Sequence, residues 1–212
     1  PARWPPRARV PGAVATGEVD LGLVAGPAAP SDPLRLPDVA PLLTVGIAEE
    51  PLDVVLPVGH PLARRRGLRL ADLADARWLD APDAAVPLAD LRTVTGRQDA
   101  FRRALRYDGA DVGTLLTLVA AGHGLVLLPR SVTGGLPGSV TGGLPGGEGR
   151  WNGGDDIPAT APVVAPAVAP AVAPGIVAVP LAVPRLCHRV ELLRPASLDP
   201  AAYGLEGLVG GG

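Results

Sequence analysis

Apolar positions along this chain gather into short runs, most of them bounded by glycine or proline. The clearest runs from Val119 through Ala120, Ala121, Gly122, His123, Gly124 and Leu125–Leu128 to Pro129. A helical stretch starting near Asp111, with Leu115, Leu118 and Val119 on one side, leads into it. Asp108 or Asp111 is placed to cap that helix. Gly122 and Gly124 make the turn, and Leu125–Leu128 is continuously apolar, as a fully buried strand is. The sequence therefore predicts an αβ step of an α/β domain. The two glycines let the backbone pass close to a neighbouring element or to a bound small molecule.

Other elements follow the same logic. Residues 1–12 hold four prolines and three arginines and read as an irregular arm. Gly17–Val24 reads as a polar turn entering a buried strand, closed by Gly26-Pro27. Residues 27–41 read as loop. Val45–Ile47 and Leu52–Leu56 are strand candidates, and Leu68–Ala76 is a short helix candidate. Arg77–Leu79 reads as a strand ended by Asp80-Ala81-Pro82-Asp83. Thr95-Gly96-Arg97-Gln98 has the form of a capping box. The helix it would open carries Phe101, Ala104 and Leu105 at i, i+3, i+4 spacing. Gly175–Leu181 is a β-branched strand candidate, and Arg189–Arg194 alternates like a strand with one wet face. Ser197 is placed to cap a last helix through Leu205 and Leu208.

Between Pro129 and Gly175 the composition changes. Residues 131–138 are repeated without change as 139–146, and proline then recurs every fourth residue from Pro158 to Pro174. Of the 45 residues from Ser131 to Gly175, 18 are Gly or Pro, which excludes a helix, because each proline removes a hydrogen bond and clashes with the preceding turn. Residues 131–174 therefore read as a flexible, partly polyproline-like insertion.

Composition narrows the function. Hydrophobic residues make up 47% of the 212 but aromatics only 3%, so the core must be Leu, Val and Ala. All 19 basic residues are Arg, yet the net charge is −2, which argues against a basic surface gripping nucleic acid. The lone Cys187 excludes an internal disulfide and a cysteine-built metal site. No run reaches the roughly 18 apolar residues of a membrane helix. No charged-then-apolar leader opens the chain. With no Met at all, the expectation is a chain that is not a complete primary product.

Catalytic patterns are missing. No Ser sits in a G-x-S-x-G elbow, and no zinc-protease motif, P-loop or G-x-G-x-x-G is present. Cys187 and His188 are adjacent, and neighbours on a strand point to opposite faces, so they cannot form a dyad there. No catalytic residue, metal ligand or cofactor is expected. Ligand binding fits better, since open α/β sheets hold ligands at the carboxyl ends of strands. Val24–Pro27 and Asp80–Asp83 are loops of that kind, and Thr95 and Gln98 would stand at a helix start that favours an anion. The plainer reading of each is an ordinary cap or turn.

Gly17-Glu18-Val19-Asp20-Leu21, Pro57–Ala63, Leu70-Ala71-Asp72-Leu73, Val119–Pro129 and Gly175–Leu181 occur in the order found in LysR-type transcriptional regulators. The chain resembles their C-terminal effector-binding domain over roughly 13–130 and 175–209. The resemblance implies an α/β fold of two Rossmann-like subdomains, like type 2 periplasmic binding proteins, joined by crossing strands. Subdomain I, which is incomplete, would hold residues 13–57 and 181–209. Subdomain II would hold 58–130 and 175–180. A small-molecule effector would bind between them, with Ala25, Gly26, Ala81, Pro82, Asp83 and His123 lining the cleft. The resemblance further implies a cytoplasmic protein that self-associates as dimer or tetramer. It would contact DNA only through an N-terminal winged helix-turn-helix that is missing from these residues. The alternative is a free-standing solute-binding protein of the same fold. An enzyme on that fold would need a polar cleft with a placed acid or base.

Overall fold

The computed structural model describes residues 9–36, 41–137 and 175–198. Its elements are α1 (Val10–Ala15), β1 (Gly22–Ala28), β2 (Leu42–Pro57), β3 (Leu68–Arg69), β4 (Arg77–Asp80), α2 (Leu88–Thr95), β5 (Arg102–Arg106), α3 (Val112–Ala120), β6 (Val126–Pro129), α4 (Arg130–Thr133), β7 (Ile176–Val183) and β8 (Cys187–Pro195). A 3-10 turn covers Leu70–Leu73.

The long strand β2 joins the two halves of the molecule. Its first part, Leu42–Pro51, pairs antiparallel with β8. Its second part, Leu52–Pro57, pairs antiparallel with β6 on one side and β7 on the other. Strands β7 and β8 follow each other back along β2, separated by the loop at Pro184. The sheet order is β1-β8-β2-β7-β3, with β6 also on β2, and β4 and β5 form a separate parallel pair. Two antiparallel crossing paths thus connect the halves.

Burial divides along the same line. Val14, Val24, Ala28, Leu34, Cys187 and Leu193 make a small cluster in the first half. The second half is far better filled. Leu52, Val54, Leu56, Trp78, Leu91, Phe101 and Leu127 pack on one side of its strands. Val55, Leu79, Leu115, Leu116, Val119 and Leu128 pack on the other. The first half also carries exposed apolar side chains at Val19, Leu23, Leu43 and Ile47.

The glycine turn has a structural reason. Gly122 sits at φ +79, and a Cβ on Gly124 would lie 3.0 Å from the backbone of Arg77, Trp78 and Leu79. So of the two readings of these glycines, Gly124 serves close approach to β4. Asp111, and not Asp108, caps α3, its carboxylate accepting from Thr114 N at 2.6 Å.

Several expectations need correction. Val10–Gly12 belong to α1 and not to an arm; Pro11 lies in the first turn, where its missing N–H costs nothing. The turn at Gly17 (φ 72) and the strand after it are present, but β1 is not closed by Gly26-Pro27; it runs through them to Ala28, so the loop starts after Ala28 and not at residue 27. The two candidates at 45–47 and 52–56 are one strand, and the helix at 68–76 is only the 3-10 turn.

The capping box fails most clearly. Thr95 ends α2, and Gly96 in the left-handed region at φ 66 stops it. Phe101 turns the chain at φ 61, and Arg102–Arg106 then form β5, paired in parallel with β4. Residues 131–137, assigned to the insertion, are folded. Thr133 is fully buried, Leu136 is in the core, and Ala178 N donates to Pro137 O at 3.0 Å. Residues 138–174, the rest of the expected insertion, and the last helix expected through Leu205 and Leu208 lie outside the described residues.

Candidate functional site

Where β1 faces the segment that follows β4, the halves leave a cavity of about 230 Å³. Ala25 and Gly26 supply one wall. They are small, so the wall is mainly backbone, as a strand with no bulky side chain at that point must be. Pro82–Pro87 supply the opposite wall, and Pro129 and Val132 close one side. The 82–87 segment is held in shape by Ala84 N and Ala85 N, both donating to Ala81 O, and by Val86 N donating to Leu127 O.

His188 brings the imidazole to this cavity. Alternation on β8 sends its neighbour Cys187 the other way, where the thiol is buried and contacts Ala28 O at 3.5 Å. His188 Nδ1 lies 3.6 Å from Glu50 Oε1. Glu50 in turn accepts from Ser131 N at 2.7 Å and Ser131 Oγ at 3.0 Å, so the start of α4 is tied to the same carboxylate. Asp83 is exposed at the mouth.

Four of the predicted residues, Ala25, Gly26, Pro82 and Asp83, therefore come together. Ala81 does not line the cavity; it is fully buried among Leu79, Leu115 and Leu116. His123 is exposed and borders neither this cavity nor the one described next, its backbone N–H donating to Leu118 O. Thr95 and Gln98 do not stand at a helix start. Thr95 Oγ1 donates to Leu91 O at 2.7 Å inside α2, and Gln98 is exposed beyond its end. The anion site proposed for them has no free helix N–H groups behind it. His188 was the residue sequence reasoning passed over. The same alternation that excluded a Cys187–His188 dyad puts one of the pair on the wet face, and that signal was sufficient.

A larger cavity of about 380 Å³ lies between the loop after β1 and the far end of α2, and includes Thr95. The two share no lining residue. An ionic cluster props the loop. Arg189 Nε donates to Glu191 Oε1 at 2.6 Å and Arg189 Nη1 to Glu49 Oε2 at 3.0 Å. The Glu191 bond first, then the two carboxylate charges, hold the Arg189 guanidinium pKa above its ordinary value. Glu191, itself almost fully buried, accepts from Leu34 N at 3.1 Å, and Glu49 accepts from Ser31 N at 3.2 Å.

Among the described residues no group of three or more His, Cys, Asp or Glu could hold a metal ion. No helix there is long and apolar enough to cross a membrane.

Comparison with known proteins places this geometry. The family described as the LysR substrate binding domain matches residues 6–140. The small neutral protease regulatory protein of Streptomyces coelicolor is 40% identical over 88 residues, covering 38% of this chain and 24% of that protein. The transcriptional dual regulator GltC of Bacillus subtilis is 29% identical over 119 residues, covering 56% of this chain and 37% of that protein. The matched stretches thus span well under half of these relatives. Among solved structures, a Corynebacterium glutamicum OxyR C206 mutant superposes with a TM-score of 0.55 at 19% identity, covering 93% of this chain and 48% of that one. The BenM effector binding domain with its effector benzoate superposes with a TM-score of 0.53 at 20% identity, covering 93% and 70%. At these identities the structures establish a shared fold.

Proposed function

The chain belongs to the LysR substrate binding domain family, and from that premise we propose that it is the effector-sensing module of a LysR-type transcriptional regulator. The family match over residues 6–140 carries the proposal. The smaller cavity is the proposed effector site, with Ala25 and Gly26 on one side, Pro82 and Asp83 on the other, and His188 as the polar group that orients the ligand. A cavity of about 230 Å³ lies below the usual range for drug-sized ligands, so the effector is of amino-acid or small-acid size.

We place the boundary between the subdomains inside the crossing strand, at Pro51–Leu52, where β2 changes partner from β8 to β6 and β7. The return crossing is the β7–β8 loop. An effector that contacts both subdomains favours their closed placement and shifts the population toward it. In the full-length regulator this placement would reach DNA through an N-terminal winged helix-turn-helix and through self-association, in the cytoplasm. The protein would then be no enzyme.

The test uses the chain as it stands. In a thermal-shift screen against amino acids and small carboxylic acids, at least one compound should raise Tm. That rise should vanish in Ala25→Leu, which fills the cavity. If every stabilising compound keeps its effect in Ala25→Leu, none binds the smaller cavity and the site assignment is overturned.

A further inference from the structure

We propose that the larger cavity is a second ligand site, which takes a small organic acid with its carboxylate at an arginine rim and its apolar body on a buried floor. Arg35, Arg69, Arg97 and Arg185 all line this cavity, against only Asp32 and Asp90. That is a local excess of two positive charges on a chain whose net charge is −2. The four come from four separate segments, so their convergence is a product of folding and not of one basic run. None of the four forms an ion pair among the described residues.

The floor has the opposite character. Leu34, Leu70, Phe101 and Leu186 line the cavity and are each 7% exposed or less. Its volume of about 380 Å³ lies within the range of small-molecule sites. The walls are held from behind. Glu191 and Glu49 tie down the backbone at Leu34 and Ser31. Arg92 anchors Phe101 by donating to Phe101 O at 2.7 Å and Ala100 O at 2.9 Å. The Phe101 ring is fixed edge-on against Trp78 with centroids 5.7 Å apart.

This combination selects the ligand class. An ion pair at a wet rim contributes little alone, so a bare inorganic anion gains almost nothing here. A guanidinium presents a planar fork that fits a carboxylate, and apolar burial scales with area. A carboxylate carrying a ring or short chain uses both. The site shares no residue with the smaller cavity and stands whether or not the effector binds there.

Calorimetric titration of the intact chain with phenylacetate, hexanoate and acetate tests it, with phenylacetamide as the neutral control. Phenylacetate or hexanoate should bind saturably, with acetate at least about tenfold weaker because the floor contributes nothing to it. The amide should show no measurable binding. The double variant Arg69→Gln, Arg185→Gln exchanges exposed side chains, so it should fold, and should weaken the acids at least about tenfold. Ala25→Leu should leave their affinity unchanged. The proposal is overturned if neither larger acid binds saturably, if acetate binds as well as hexanoate, or if the double variant has no effect. Loss of binding in Ala25→Leu would also overturn it by placing the acid in the smaller cavity, while leaving the effector reading intact.

Discussion

Asp53 is a charged residue with none of its surface exposed, held in the second part of β2 between β6 and β7. Its carboxylate accepts from Arg130 Nη2 at 2.7 Å and from Thr133 Oγ1 at 2.6 Å. A buried charge is tolerable only while it is paired. Arg130→Ala should therefore cost about 3–5 kcal/mol, read by urea unfolding. Thr133→Val, which leaves the ion pair, should cost only about 1–3 kcal/mol. Equal losses would mean that the ion pair contributes nothing beyond the hydroxyl. Cys187 gives a second prediction at this scale. Burial first, and then the neighbouring Glu49, pushes its thiol pKa up to about 12. A raised thiol pKa favours the neutral form. Its contribution to stability is therefore complete below the ordinary thiol range and is lost as pH rises toward that value. Thiol-reactive dye should leave Cys187 unmodified in the folded chain at pH 8 and label it fully in denaturant. Rapid native labelling would show an accessible thiolate.

The αβ step around Gly122–Gly124 was legible in the sequence because its signals are local: a capped helix, two glycines, a continuous apolar run and a closing proline. Gly124→Ala should cost about 1–3 kcal/mol, since the added methyl meets β4 backbone, which cannot swing aside as a side chain can; a neutral effect in thermal melts would show that β4 yields. The segment from Thr95 to Arg106 was misread for a definable reason. Thr-Gly serves equally as a helix start or, through a left-handed glycine, as a helix stop. Pro87 and the Leu88, Leu91 spacing favoured the stop. Phe101, Ala104 and Leu105 fit a helix by period, but pairing of β5 with β4 overrides that pattern, as tertiary context does with short segments. The insertion boundary was missed because the repeat is exact in sequence. Burial of Thr133 and Leu136 in the first copy is invisible to a reading based on composition.

Across the whole molecule the two halves are unequal. The first has only a small buried cluster, whereas the second is packed on both faces of its strands; exposed apolar side chains occur on both, at Val19, Leu23, Leu43 and Ile47 in the first and at Val58, Leu105 and Val183 in the second. Hydrogen exchange should accordingly be faster along β1, which pairs with β8 and has exposed positions, than along β6, which pairs with β2, is almost wholly buried and follows the Trp78–Leu125 bridge to β4. Equal protection would mean one cooperative unit and would remove the basis for relative motion of the halves. Of the site, the Pro82–Asp83 turn could be read from sequence because it follows the end of β4, whereas Ala25 and Gly26 were expected in a loop and lie inside β1. The arginine-rimmed cavity could not, because Arg35, Arg69, Arg97 and Arg185 meet only through the crossing topology. The central claim, that this chain is the sensing half of a DNA-binding regulator, is tested most directly by the coding sequence immediately upstream of Pro1, read from the transcript. The account predicts a winged helix-turn-helix with a basic recognition helix, followed by a linker. A secretion signal joined directly to this domain would contradict it and make the protein a solute-capture module instead.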